Sequence, residues 1–140
     1  MMEDVRRWSP AVKQTWLDPT LSNGELAAVK DGVASCSKVV IAAFATASAY
    51  KGTVALPGNL STFVNDLVKS PIPTAFVAFG NPYLWRSFPG VKAYVATFST
   101  VPASEAAVAK ALFGEIGFNG RSPVSIPGFA KIGDGLKLGR

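Results

Sequence analysis

At 140 residues the chain has the length of one domain, and a second independent core would be hard to fit. Hydrophobic residues make up 49% and charged residues 16%, enough apolar material for a sizeable core and too much for a disordered chain. The 14 basic and 9 acidic residues give a net charge of +5, but the bases stand singly, apart from the Arg6-Arg7 pair, and so form no clustered patch for nucleic acid.

The absence of histidine excludes Ser-His-Asp and Cys-His catalysis within the chain, together with most zinc sites. Cys36, the single cysteine, can form no intrachain disulfide and reads as a buried or half-buried structural thiol. No metal or cofactor is expected. The first sixteen residues carry Glu3, Asp4, Arg6, Arg7 and Lys13 without the apolar stretch of a signal peptide. The longest apolar run, residues 39–49, is too short to cross a bilayer, so no membrane span is expected.

In chain order, residues 1–11 have weak periodicity, and residues 12–17 alternate imperfectly before Asp18-Pro19, which predicts a short strand. Ser22 and Glu25 have capping-box spacing, and Leu26, Val29 and Val33 fall on one face after them, predicting a helix to about Ser35. Residues 38–45 form a continuous apolar run rich in β-branched side chains, the pattern of a strand buried on both faces. A loop follows to about Gly58. Asn59 is then placed to cap a helix with Leu60, Phe63, Val64, Leu67 and Val68 along one stripe, ended by Pro71 and Pro73. Residues 74–79 repeat the buried-strand pattern and run into Gly80-Asn81-Pro82-Tyr83. Residues 92–98 read as a third strand, and residues 104–113 as an alanine-rich helix able to lie close on a sheet, stopped by Gly114. Asn119-Gly120 is a turn signal, residues 122–127 read as extended, and the remainder as loop.

Strands alternating with helices predict an α/β fold with a mostly parallel sheet. In such sheets function gathers beyond the carboxyl ends of the strands, here residues 46–58, 80–89 and 99–102. None of the nine acids, Glu3, Asp4, Asp18, Glu25, Asp31, Asp66, Glu105, Glu115 and Asp134, falls in these segments. A self-contained pair of catalytic carboxylates, which glycosidic hydrolysis commonly needs, is therefore not expected. Gly114, Gly117 and Gly120 have phosphate-loop spacing, but they follow a helix and precede none, so turns are the better reading. Gly80-Asn81-Pro82-Tyr83 reads first as a rigid turn, with an asparagine able to hydrogen-bond its own backbone. The functional alternative is that Asn81 and Tyr83 face a sugar, with Trp85 and Arg86 as further surface contacts.

Several segments resemble the C-terminal domain of family-3 glycoside hydrolases, the group of β-glucosidases and β-N-acetylglucosaminidases. They are residues 39–57, "PTAFVAFGNPY" at 73–83, "AYVATFS" at 93–99, and above all "AAVAKALFGEIGFNGRSPVSIP" at 106–127. The last is similar to the family's closing signature, Gly-(Arg/Lys)-Leu-Pro-Val-(Ser/Thr)-x-Pro, with Ser122 in place of leucine. The resemblance covers roughly residues 26–136 and implies a flavodoxin-like three-layer α/β sandwich with a mostly parallel sheet, residues 1–140 forming that one domain.

The resemblance also implies a parent whose nucleophilic aspartate stands on an N-terminal TIM-like barrel, absent from these 140 residues. In β-glucosidase-type members the loop after the second buried strand supplies an acid/base glutamate before a Leu-x-Leu-Pro run. Anchored on Leu56-Pro57, this chain has Ala47, Ser48, Ala49, Tyr50 and Lys51 there, with no carboxylate. It is thus closer to the β-N-acetylglucosaminidase branch, whose acid/base is a histidine on a barrel loop and which needs no catalytic residue from this domain. By loop position, Ser48, Tyr50, Lys51, Asn81 and Tyr83 are the candidate contacts to a sugar or glycoside, and the expected partner is the barrel. The alternative is an independent, non-catalytic module that binds sugars or docks on a protein.

Overall fold

The computed structural model describes residues 1–46 and 55–139. The elements are α1 (Met2–Trp8), α2 (Asn23–Val33), β1 (Val39–Ala45), α3 (Leu60–Lys69), β2 (Thr74–Gly80), a 3-10 helix (Pro82–Ser87), β3 (Ala93–Ala96) and α4 (Pro102–Leu112). Three parallel strands form one open sheet in the order β1-β2-β3, accompanied by helices, which is an α/β fold. The chain divides into two compact units, residues 15–98 and residues 1–14 with 99–140.

The first unit holds the sheet. α2 starts where the capping box predicts. The Ser22 hydroxyl accepts from the Glu25 N–H at 3.3 Å, and the Glu25 carboxylate accepts from the Ser22 N–H at 2.8 Å. These two bonds satisfy donors that a helix start otherwise leaves without partners. α3 buries Leu60, Phe63, Val64 and Leu67, the stripe its spacing predicts. Its expected cap does not form: Asn59 is itself helical in backbone and makes no side-chain capping bond. Instead the Ser61 hydroxyl donates back to the Leu56 carbonyl at 2.8 Å, tying the helix start to the preceding segment.

The core lies on the sheet face that carries Ala43, Phe76 and Ala78, packed with Leu26, Phe63, Leu67, Leu84 and Phe88. β2 is buried on both faces, and Phe76, Val77, Ala78 and Phe79 are each fully enclosed. β1 differs from expectation. It is an edge strand, and Val40, Ala42 and Phe44 on its second face are exposed. An apolar run satisfies either position, because strand order is decided by pairing partners distant in sequence. β3 is also shorter than predicted, stopping at Ala96 rather than Phe98.

The segment before α2 forms no strand: residues 12–17 are irregular, and Trp16 is 78% exposed. Its alternation is too short to recruit a neighbour, and an extended segment without a ladder partner leaves its backbone to water.

The second unit contains α1, which weak periodicity did not predict and which buries only Val5, and α4. Trp8 stacks on Phe113 with centroids 5.3 Å apart. α4 begins at Pro102, two residues before the predicted start, using proline at a position whose missing N–H costs nothing. It closes as a Schellman motif: Gly114 N–H donates to Ala111 O, Glu115 N–H donates to Lys110 O, and Gly114 takes φ +76°.

The chain then doubles back on itself. Phe118 and Leu138 exchange backbone hydrogen bonds of 2.9 and 3.0 Å, and Ser122 is bonded to Asp134 and Gly133. The reversal occurs over residues 126–130, with Gly128 at φ +84°, rather than at Asn119-Gly120. Asn119-Gly120 instead lies in the segment that the tail pairs with, where Gly117 and Gly135 let backbones approach each other.

Candidate functional site

Parallel strands bring their carboxyl ends to one edge. The register sets Ala45 beside Gly80 and Ala78 beside Ala96, so the segments after β1, β2 and β3 start from the same side of the sheet. Of the five candidate contacts, Ser48, Tyr50 and Lys51 lie outside the described residues. Asn81 and Tyr83 lie at the exit of β2.

That exit is a built turn. Gly80 takes φ +93°, a backbone conformation that side chains with a Cβ rarely adopt, and Pro82 opens the 3-10 helix. Asn81 is only 3% exposed, and its Oδ1 accepts from the Tyr83 N–H at 3.0 Å. The asparagine therefore satisfies an orphan donor at the helix start, as the rigid-turn reading expects. Tyr83 is half-buried, and Arg86 is exposed.

Behind the turn stands an aromatic column. Phe88 meets Phe76 at 5.1 Å, Phe76 stacks on Tyr94 at 5.6 Å, and Tyr94 stacks on Trp85 at 4.8 Å. The Tyr94 hydroxyl donates to the Pro82 carbonyl at 2.9 Å. Burial pushes the Tyr94 phenol well above its ordinary range, partly offset by a hydrogen bond from the Trp85 backbone. On the other flank the Asn65 amide donates to Ser61 O and Ser87 O, joining α3 to the end of the 3-10 helix. The segment carrying Tyr83 is thus held from both sides.

At the exit of β3, Phe98 has φ 55° and is 37% exposed. This left-handed conformation is uncommon for a bulky residue without a short polar side chain. Nothing in the sequence signals it, since aromatic residues at a strand end ordinarily just continue the strand.

All nine acids lie outside the strand-exit segments, and several of them have partners of their own. Asp4 and Glu105 hold the Met1 ammonium at 3.3 and 3.0 Å, Asp66 lies 3.9 Å from Lys30, and Glu115 lies 3.3 Å from Lys110. Asp18 accepts from the hydroxyl and N–H of Thr20, which hold its carboxyl below the usual range. Asp134 accepts from the Lys131 N–H at 2.7 Å. Among the described residues no three His, Cys, Asp or Glu side chains gather as metal ligands, and no helix is long and apolar enough to cross a membrane. Among the described residues the strand-exit segments carry no carboxylate, and they bring the half-buried Tyr83 and the partly exposed Phe98 to this edge.

No family model and no curated protein matches the sequence. Among solved structures, a glycoside hydrolase family 3 β-N-acetylglucosaminidase from Paenibacillus sp. str. FPU-7 superposes with a TM-score of 0.66 at 18% identity. The fold is similar to one part of that enzyme. The match covers 81% of this chain and 20% of the enzyme's chain, so the similarity concerns about a fifth of its length.

Proposed function

We propose that residues 1–140 act as a single accessory α/β domain of a β-N-acetylglucosaminidase-like glycoside hydrolase, shaping or supporting a sugar site whose catalytic groups stand on a barrel domain outside these residues. The observation that carries this reading is the fold match to one fifth of a family-3 β-N-acetylglucosaminidase. The sequence of the strand-exit segments, which contains no carboxylate, is in keeping with it. In this reading Tyr83, with Ser48, Tyr50 and Lys51 from the segment after β1, contacts the sugar. Asn81 shapes the turn that presents Tyr83.

Two measurements on the purified chain test this. Incubation with an aryl N-acetylglucosaminide should release no aglycone, and turnover that survives repurification refutes an accessory role. An amide-resolved NMR titration with N-acetylglucosamine to tens of millimolar should give saturable shifts at Tyr50, Lys51, Asn81 and Tyr83, since even millimolar affinity is worth about 4 kcal/mol. A folded spectrum without shifts eliminates the contact list and leaves mechanical support of the barrel.

A further inference from the structure

β1 has the features of an edge made for pairing. Natural edge strands are usually blunted by lysine, proline or a bulge. Residues 39–45, Val-Val-Ile-Ala-Ala-Phe-Ala, contain no charge and no proline, and all seven pair in unbroken register with β2. Among the described residues no strand lies against the other side of β1. Val39 N–H donates to Pro73 O, so Val39, Ile41, Ala43 and Ala45 direct their backbone groups to β2. By alternation, Val40, Ala42 and Phe44 direct theirs to the free edge.

The same three residues carry the open face. Val40 and Phe44 are each 47% exposed, whereas Val77 and Phe79, on the same face of the neighbouring strand, are fully enclosed. Phe44 already stacks on Phe79 with centroids 4.5 Å apart. Across this pair of strands the large exposed side chains of that face are therefore those of β1.

We infer that a second copy of this chain occupies this edge, through antiparallel pairing of β1 with β1 about a two-fold axis at Ala42. The pattern is self-complementary about that residue. Val40 falls opposite Phe44 of the copy and Ala42 opposite Ala42, and all of these have outward-facing backbone groups, so each pair exchanges both of its hydrogen bonds. The exposed side chains of the two copies then meet on one face and extend the Phe44–Phe79 stack. Charge selects the direction: antiparallel pairing sets Lys38 opposite Thr46, whereas in-register parallel pairing sets Lys38 against Lys38. The contact is isologous and uses the edge once per copy, so it closes at a dimer. A seven-residue strand spans about 23 Å. That is a narrow contact beside the ~1,200 Å² at the lower end of stable complexes, so the dimer dissociates on dilution.

Sedimentation equilibrium across a hundredfold concentration range should give a reversible monomer–dimer equilibrium. Ala42→Lys places two ammonium groups together on the axis and should weaken association at least tenfold, with an unchanged circular dichroism spectrum. A second readout does not depend on that variant folding. In a Cys36→Ser background, Ala42→Cys should oxidise to a disulfide-linked dimer, because Cα atoms of such a pair lie about 5.5 Å apart, within disulfide reach. Ala28→Cys, exposed on α2, should cross-link at least tenfold more slowly. A monomer at every concentration, open-ended oligomers, an Ala42→Lys dimer of unchanged affinity, or equal cross-linking at positions 28 and 42 would each overturn the inference.

Discussion

Tyr94→Phe isolates one hydrogen bond of the strand-exit turn while leaving its packing in place. The ring's stacks on Phe76 and Trp85 survive, and only the hydroxyl that donates to Pro82 O at 2.9 Å and receives the Trp85 backbone N–H is removed. A neutral intramolecular hydrogen bond contributes about 0.5–1.5 kcal/mol, and a partly buried carbonyl left without its donor adds to that cost. A loss of about 1.5 kcal/mol follows. With a urea slope of about 2 kcal/mol/M for a domain of this size, the midpoint should fall by roughly 0.7 M at unchanged slope. The variant should also lose a pH effect. Because burial raises the folded-state phenol, the unfolded chain releases this proton first. The stability it contributes is complete below about pH 10 and is lost as pH rises beyond it. Wild type should therefore weaken more steeply than Tyr94→Phe above pH 10. A midpoint shift below about 0.1 M, or parallel alkaline curves for the two proteins, would refute the role assigned to the hydroxyl.

Ser22→Ala should destabilise the chain by about 1 kcal/mol in urea unfolding, through loss of the α2 cap. The Ser22 hydroxyl and then its backbone N–H hold the Glu25 carboxyl below its usual range, so the box's contribution is present above the ordinary glutamate value and fades as pH falls through the lowered one. The gap between Ser22→Ala and wild type should accordingly narrow in acid. Gly80→Ala forces a Cβ into φ +93° and should cost about 1–3 kcal/mol by thermal or urea unfolding, with the β2 exit losing amide protection first.

What the sequence disclosed well was whatever short-range chemistry decides. The Ser22–Glu25 box, the apolar stripe of α3, the Gly114 stop and the Asn81 turn each involve residues within one or two helical turns, and each forms as read. The α/β class was legible for the same reason, since alternation of element types is local. Misreadings arose where distant partners decide. β1 and β2 have nearly the same apolar pattern, yet one is an edge and the other central. Residues 12–17 alternate like a strand but find no ladder. Asn59 is a good capping residue, but it enters the helical backbone itself and leaves no side-chain cap. At the candidate site, Asn81 was legible as a turn former, whereas no residue pattern signals the left-handed backbone of Phe98.

Gly117 and Gly135 carry a consequence for tracing ancestry. A Cβ on Gly117 would stand 2.5 Å from the Leu138 carbonyl oxygen, and one on Gly135 would collide with the carbonyl of Gly120. Neither clash can be relieved by a rotamer change, because both obstacles are main chain. While the tail keeps its path, these two positions admit no second letter. In chains too diverged to align by similarity, a pair of glycines eighteen residues apart, bracketing the reversal near Gly128, is a steric watermark of this clasp.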